Sequence, residues 1–408
     1  MNQEIKDLSL YVHIPFCKAK CHYCDFLSFG GMDYAMQREY VDALCKEIAA
    51  YRAVAQDYMI RTIFFGGGTP SYIEANLIVQ IMDTIQSTFT VASDAEITME
   101  GNPDSLLLDK LKVYAQAGVN RLSIGLQSVH NEMLAKLGRV HSYEQFLEAF
   151  QNAREAGFQN INVDVMSGLP GETMESYMDT LQKVIALQPE HISAYSLIVE
   201  EDTPLSENEA LLDTIPSEEE DRAMYAKTKK LLLEHGYYRY EISNYAKSGF
   251  ACKHNQVYWT GGEYLGVGLS AASYMTVYSA EGQGKSLRFH GVEDIREYIG
   301  RFSRCEGMWG LGEEILYEFV RDFYRDLHFC RRKDEMEEFM FLGLRMMEGV
   351  SKTEYRKRFG VEMEFTYGAV LEKYKKQGLL LEDATGDRVF LSEQGIDVSN
   401  VVMADFML

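Results

Sequence analysis

"LYVHIPFCKAKCHYCDF", Leu10–Phe26, is the stretch on which the reading of this chain turns. It overlaps the run "LSLYVHI", Leu8–Ile14, which is apolar over a strand's length and predicts a short buried strand. Beyond that run, Cys17, Cys21 and Cys24 place three of the chain's seven cysteines within eight residues. A strand ending in a thiol-rich loop admits three readings. Single cysteines are commonly buried apolar groups, and a zinc site could be built from the three thiols with His22 as fourth ligand. The CxxxCxxC spacing directly after a strand better fits a cubane of four irons held by three thiolates on one loop. That leaves one iron open to an amino-acid chelate. An odd count of seven cannot pair off, and the N-terminus, "MNQEIKDLSL", has neither the basic nor the apolar region of a secretory signal. The chain is therefore expected in the cytoplasm, where thiols stay reduced and clustered cysteines read as metal ligands.

Outward from that loop the pattern repeats. "RTIFFGGG" from Arg61, "AEITMEGN" from Ala95, "NRLSIGLQS" from Asn120, "NINVDVMSGLP" from Asn160 and "EHISAYSLI" from Glu190 are strand-like runs. Amphipathic segments separate them, among them "LLLDKLKVYAQAG" and "SYEQFLEAFQNAREAG", both ending at a glycine suited to a helix C-cap. Six strands alternating with helices predict a parallel sheet with right-handed crossovers. The fold class is α/β, a (β/α) barrel left incomplete, because the regularity fades after Leu197. In such barrels chemistry gathers at the C-terminal strand ends. The cysteine loop, "GGGT", Glu100, Gln127 and Asp164 all fall at or near such ends.

With 408 residues, 46% hydrophobic and 25% charged, the chain has the composition of an ordinary globular protein of two or three domains. Its formal charge of −22 repels phosphate backbones, so nucleic acid is not an expected partner, and no apolar run is long enough to span a bilayer. After residue 200 an acidic, proline-punctuated loop leads into a helix near Asp221–His235, and "YYRYEISNY" reads as one more strand. From Asp334 the order is helix, a second helix opened by Ser351 with Glu354, a third helix, and a hairpin turning near Gly386. Three helices and a wing describe a winged-helix-like α+β module. Residues 334–408 carry nine Lys/Arg against fifteen Asp/Glu, which favours a structural or lid role over DNA binding. The expected boundaries are 1–250 for the barrel, 251–333 for a connecting region with "HNQVYW", and 334–408 for the winged-helix-like domain.

"CKAKCHYC" with "GGGTP" at the end of the second predicted strand resembles the radical S-adenosylmethionine (SAM) superfamily, whose fold is a partial (β/α)6 barrel. "YVHIPFCxxxCxYCDF", "GGGTPS", "RLSIGLQS", "DVMSGLPGET", "HNQVYW" and the winged-helix end are similar to the branch containing oxygen-independent coproporphyrinogen III oxidase. Within it they most resemble the paralogous haem chaperone family, HemW. The resemblance runs from Leu8 almost to the C-terminus. It implies a 4Fe-4S cluster on Cys17, Cys21 and Cys24, and a SAM contacted by Tyr11, Gly68 and Glu100. It further implies a second SAM near Thr69, Gln127, Arg139 and Asp164. Asp164 stands out on its residues alone, since a carboxylate inside "NINVDVM" is costly without a partner.

Two departures from the oxidase pattern favour the chaperone branch. The oxidase carries a further cysteine two residues after the third ligand, where this chain has Phe26, and a long N-terminal extension, where only ten residues precede Tyr11. The "HNxxYW" signature is matched by His254, Asn255, Tyr258 and Trp259. It implies a haem contact with His254 as axial ligand and Tyr258 or Trp259 packed near the macrocycle. The function so implied is a haem chaperone that binds haem, a 4Fe-4S cluster and SAM, and passes haem to an acceptor protein. The alternative is a radical enzyme, either a coproporphyrinogen III dehydrogenase or a methyltransferase. Such an enzyme would draw on an electron donor such as flavodoxin or ferredoxin.

Overall fold

The computed structural model describes residues 5–278, 284–305 and 313–408. Six strands lie in chain order, each parallel to the next: β1 (Lys6–Ile14), β2 (Tyr58–Gly67), β3 (Thr90–Gly101), β4 (Arg121–Gln127), β5 (Ile161–Ser167) and β6 (His191–Ser196). Helices return the chain between them, as at Tyr34–Ala50, Ala75–Thr88, Leu108–Gln116, Tyr143–Glu155 and Met174–Ala186. Gly118 and Gly157, with φ of +104° and +100°, follow two of these helices as the left-handed residues expected there. Ser142 and Gln145 close a reciprocal capping box at the start of Tyr143–Glu155.

The strands are buried on both faces, but the faces differ in kind. Leu122, Ile124 and Leu126 of β4 join Val163 and Val165 of β5 in the main core, where Phe146, Ala149 and Phe150 of a covering helix also lie. The alternate residues Arg121, Ser123, Asn162 and Asp164 face a cavity that also touches Tyr11 of β1, Phe64 of β2, Glu100 of β3 and Ser193 of β6. A single hollow bordered by all six strands means that the sheet is curled around it, giving the partial barrel.

The barrel does not close; instead the sheet extends at both edges to twelve strands. Beyond β1 lies the parallel strand Tyr264–Val267, followed by Ala272–Tyr278, Gly284–His290 and Arg325–Phe329, all antiparallel. Four strands of the 251–333 segment therefore continue the barrel sheet. At the other edge "YYRYEISNY" is not one further strand but two short antiparallel ones, Tyr238–Arg239 and Asn244–Ala246, the second paired with β6. The break has a cause. The Glu241 carboxylate accepts from the Ser243 amide at 2.8 Å and the Asn244 side-chain amide at 2.6 Å, which folds the chain into a turn.

The C-terminal module packs its helices Arg332–Gly343, Lys352–Phe359 and Met363–Lys376 against the strands Val350–Ser351, Leu380–Glu382 and Arg388–Leu391 around a separate core. Ser351 Oγ accepts from the Glu354 amide at the second helix, and Gly386 turns the hairpin at φ +73°. No helix among the described residues is long and apolar enough to cross a membrane.

Candidate cofactor and ligand site

The thiol loop leaves β1 at Ile14 and is anchored on every side. The His22 amide and ring Nδ1 bond the Leu137 and Lys136 carbonyls at 2.9 and 3.0 Å, the Leu205 amide donates to the His22 carbonyl, and the Gly31 amide to that of Cys17. His22 therefore fastens the loop to its neighbours. Among the described residues no three His, Cys, Asp or Glu side chains converge as a single metal ion requires. Three thiols on one loop are the donors that a cubane would take, each on a different iron. Burial pushes the Cys17 thiol up and that of Cys24 up to about 11, so their thiolates need a compensating positive charge.

Hydrogen bonds join two of the thiols through the barrel wall. Thr69 Oγ1 donates to Cys17 Sγ at 3.5 Å and accepts from Asn102 Nδ2 at 3.1 Å. Asn102 Oδ1 accepts from Arg139 Nη2 at 2.7 Å, and Arg139 Nη1 donates to Cys21 Sγ at 3.5 Å. Burial works against the Arg139 charge, but the neighbouring Tyr23 and Cys21 outweigh it and hold the guanidinium ionised. Arg139 thus brings a fixed positive charge beside the loop.

The glycine run explains itself by what crowds it. A Cβ on Gly66 would lie 2.9 Å from the Tyr11 ring and 3.1 Å from Glu100 Oε2. Gly67, at φ +107°, faces the His13 ring, and a Cβ on Gly68 would come within 2.8 Å of the Phe16 carbonyl and 3.0 Å of Cys17 Sγ. The three residues are an interface between β2, Glu100 and the thiol loop. Burial, and then the charge of Asp164, push the Glu100 carboxyl up to about 8.

Asp164 has the partners that its burial demands: Asn162 Nδ2 at 2.7 Å and Ser123 Oγ at 3.4 Å. Burial still raises its pKa. Gln127 sits in a left-handed conformation, φ +73°, beside a register slip between β4 and β5. Its side-chain oxygen accepts from the Tyr195 hydroxyl at 3.1 Å. Thr69, Gln127, Arg139 and Asp164 border a hollow of about 150 Å³ with Cys17, Cys21 and Cys24.

That hollow shares Cys24, Tyr23, Glu100 and Asp164 with the main cavity of about 590 Å³. Tyr11, Tyr23, Phe26, Phe64, Tyr195 and Tyr258 give the larger space an aromatic lining, and Phe26, 70% exposed, stands at its edge. His254 and Tyr258 come from the helix Lys253–Thr260, whose start is fixed by Glu96 accepting from the backbone amides of Lys253 and His254 and from Cys252 Sγ. Both ring nitrogens of His254 are engaged, Nδ1 with Thr62 Oγ1 at 2.7 Å and Nε2 with the Tyr258 hydroxyl at 2.9 Å, and the ring stacks on Phe64. Burial, and then Arg121, lower its pKa to about 3. Trp259 lies elsewhere, under the guanidinium of Arg345 at 4.4 Å in the C-terminal module. Tyr258 borders a further hollow, of about 190 Å³, towards that module.

Arg121, Asn102 and Tyr23 were not singled out from sequence. Arginine at the start of a strand reads as a solvent boundary, and only the curl of the sheet shows that Arg121 is buried against the cavity at 2% exposure.

Residues 11–184 match the Radical SAM superfamily and residues 331–398 the HemN C-terminal domain. The heme chaperone HemW of Bacillus subtilis is 35% identical over 404 residues, covering 98% of this chain and 99% of the relative. That of Escherichia coli is 38% identical over 273 residues, 67% of this chain and 71% of the relative. Among solved structures, coproporphyrinogen III oxidase (HemN) from Escherichia coli superposes with a TM-score of 0.80 at 22% identity, covering 99% of this chain and 91% of that one, a likeness of fold.

Proposed function

The chain belongs to the HemW family of radical SAM haem chaperones, and from that premise we propose that it takes haem into the aromatic-lined cavity and releases it to an acceptor protein. The observation that carries this reading is the shared wall: the cavity large enough for a flat aromatic ligand is bounded on one side by Cys24 and Glu100 of the cofactor site. Cys17, Cys21 and Cys24 would hold a 4Fe-4S cluster, with Tyr11, Gly68 and Glu100 set to receive SAM beside it and Thr69, Gln127, Arg139 and Asp164 a second SAM. The cluster, when bound, supplies an electron and an open coordination position. The chain's residues do the rest. Arg139 offsets the negative charge of the thiolates, burial pushes the Glu100 carboxyl up to about 8, and the glycine run lets the thiol loop approach β2.

Phe26, where the oxidase has a cysteine, offers an apolar face to a macrocycle rather than a thiol. Incubation of anaerobically reconstituted protein with haem and, separately, with coproporphyrinogen tests the reading. A stable Soret band with no decarboxylated product is expected, and turnover of coproporphyrinogen without haem binding refutes it.

Ligation of haem iron by His254 would require Tyr258 to leave Nε2. Tyr258→Phe then frees the ring and tightens haem binding, whereas His254→Ala abolishes the Soret band. Unchanged spectra in both variants assign His254 to holding β2 and the helix together.

A further inference from the structure

The main cavity contains a charge that its protein neighbours do not use. Arg121 is 2% exposed, and its guanidinium makes no hydrogen bond and no ion pair within 4 Å among the described residues. Its Nε is buried without a partner. The acids nearest to it are committed elsewhere. Glu96 accepts from Cys252 and the Lys253 and His254 amides, and Asp164 from Asn162 and Ser123. Burial works against the Arg121 charge and the neighbouring Cys252, Glu96, Tyr240 and Asp164 outweigh it through space, but none of them fills its donor positions. A buried guanidinium with five donors and no acceptor is expensive unless something else supplies one.

Among the described residues that line this cavity, Arg121 is the single Lys or Arg. Its level in the barrel says what it can meet. Arg121 opens β4 and pairs in register with Thr98, whereas Glu100 pairs with Ser123 and Gln127 ends the strand. At about 3.3 Å per residue, Arg121 lies roughly 20 Å along the strand from Gln127. The thiol loop leaves the sheet beyond Ile14, three residues past Tyr11, so a carboxylate held there would lie nearer the Gln127 end of the cavity. Tyr11, Phe64 and Thr98 share the register level of Arg121, so a flat ligand packed on those rings can present a carboxylate to it.

Resting on the haem-binding reading above, we propose that Arg121 is the carboxylate anchor of the cavity and pairs with a propionate of the bound haem. The guanidinium fork matches a carboxylate in two-point contact, which fixes the rotation of the macrocycle as well as its depth. Tyr11, Phe64 and Tyr258 then flank the ring system while its acidic edge turns towards Arg121 on β4.

Comparison of haem with haem dimethyl ester, in which both propionates are uncharged, tests this by titration of the Soret band and needs no variant. Wild-type protein should bind haem about tenfold or more tightly than the ester, as befits a desolvated charge pair. Arg121→Gln should weaken haem binding to the level of the ester and leave ester binding and cluster iron content unchanged, and Arg121→Lys should restore part of the preference. A purely structural role would weaken both ligands equally. Equal binding of haem and ester by wild-type protein overturns the assignment while leaving haem binding intact, and so does a preference that survives in Arg121→Gln. Binding of neither ligand overturns the haem reading itself.

Discussion

Glu47 offers a stability test that does not depend on any cofactor. Its carboxylate is fully buried behind the thiol loop, between the helix Tyr34–Ala50 and the 251–333 segment, where it accepts from the Tyr298 and Tyr324 hydroxyls and from the Gly268 amide at 2.8 Å. Tyr40 bridges the same place to β1, donating to the His13 carbonyl and accepting from the Leu269 amide. Burial raises Glu47 from an ordinary 4.5 to about 7, with the three donors pulling the other way. Between those values the folded chain holds a proton that the unfolded chain has released. The stabilisation is therefore complete below about pH 4.5 and is lost as pH rises through about 7. At 1.36 kcal/mol per unit the loss approaches ~3 kcal/mol. With ~2 cal/mol/K of unfolding entropy per residue over 408 residues, that corresponds to roughly 4 °C in Tm. Glu47→Gln cannot titrate, so the Tm difference between wild-type and variant proteins, followed from pH 5.5 to 8, isolates this carboxyl from Glu100 and Glu172, which burial also raises. Above pH 5.5 about 2 kcal/mol of that loss remains, so wild-type protein should lose about 2 °C relative to the variant across that range. Parallel Tm curves would show that Glu47 is ionised in the native state throughout.

The remaining predictions concern the site and its support. Cys45 lies within the helix Tyr34–Ala50, its thiol 3.9 Å from the Gln80 carbonyl, so Cys45→Ala should retain full iron content while Cys17→Ala, Cys21→Ala and Cys24→Ala lose it, as measured by iron and sulfide analysis. Gly68→Ala forces a Cβ against the Phe16 backbone and Cys17 Sγ. It should cost about 1–3 kcal/mol and lower cluster occupancy, whereas Gly300→Ala, with open space around it, should do neither. Trp259→Ala removes the Arg345 contact and should speed proteolysis near residue 331, with the Soret band unchanged.

The barrel was legible because its strands and helices alternate at regular intervals, and because Gly118 and Gly157 mark helix ends by a backbone conformation that few other residues adopt. The thiol loop and the glycine run were legible for a similar reason: their chemistry lies within a few adjacent residues. The edges of the sheet were not. Tyr264–Val267 is only four residues long, and nothing in its local pattern says that it will lie beside β1. The turn inside "YYRYEISNY" depends on one carboxylate reaching forward to two amides, which periodicity does not register. The surroundings of His254 depend in part on Thr62, which holds Nδ1, and Phe64, which stacks on the ring, both almost two hundred residues away and invisible to local pattern.

The place of Tyr264–Val267 in the sheet has a consequence for how the chain is made. β1, which carries the thiol loop, has β2 on one side and this late strand on the other. About 250 residues separate Ile14 from Tyr264. At some 5–20 residues per second, ribosomal synthesis leaves one edge of the first strand without its neighbour for roughly 12 to 50 s. Glu47 waits equally for Gly268, Tyr298 and Tyr324. The loop that would hold the cluster thus emerges long before the strand that braces it. During that interval its strand presents an open hydrogen-bonding edge, the feature by which nascent chains pair with the wrong partner.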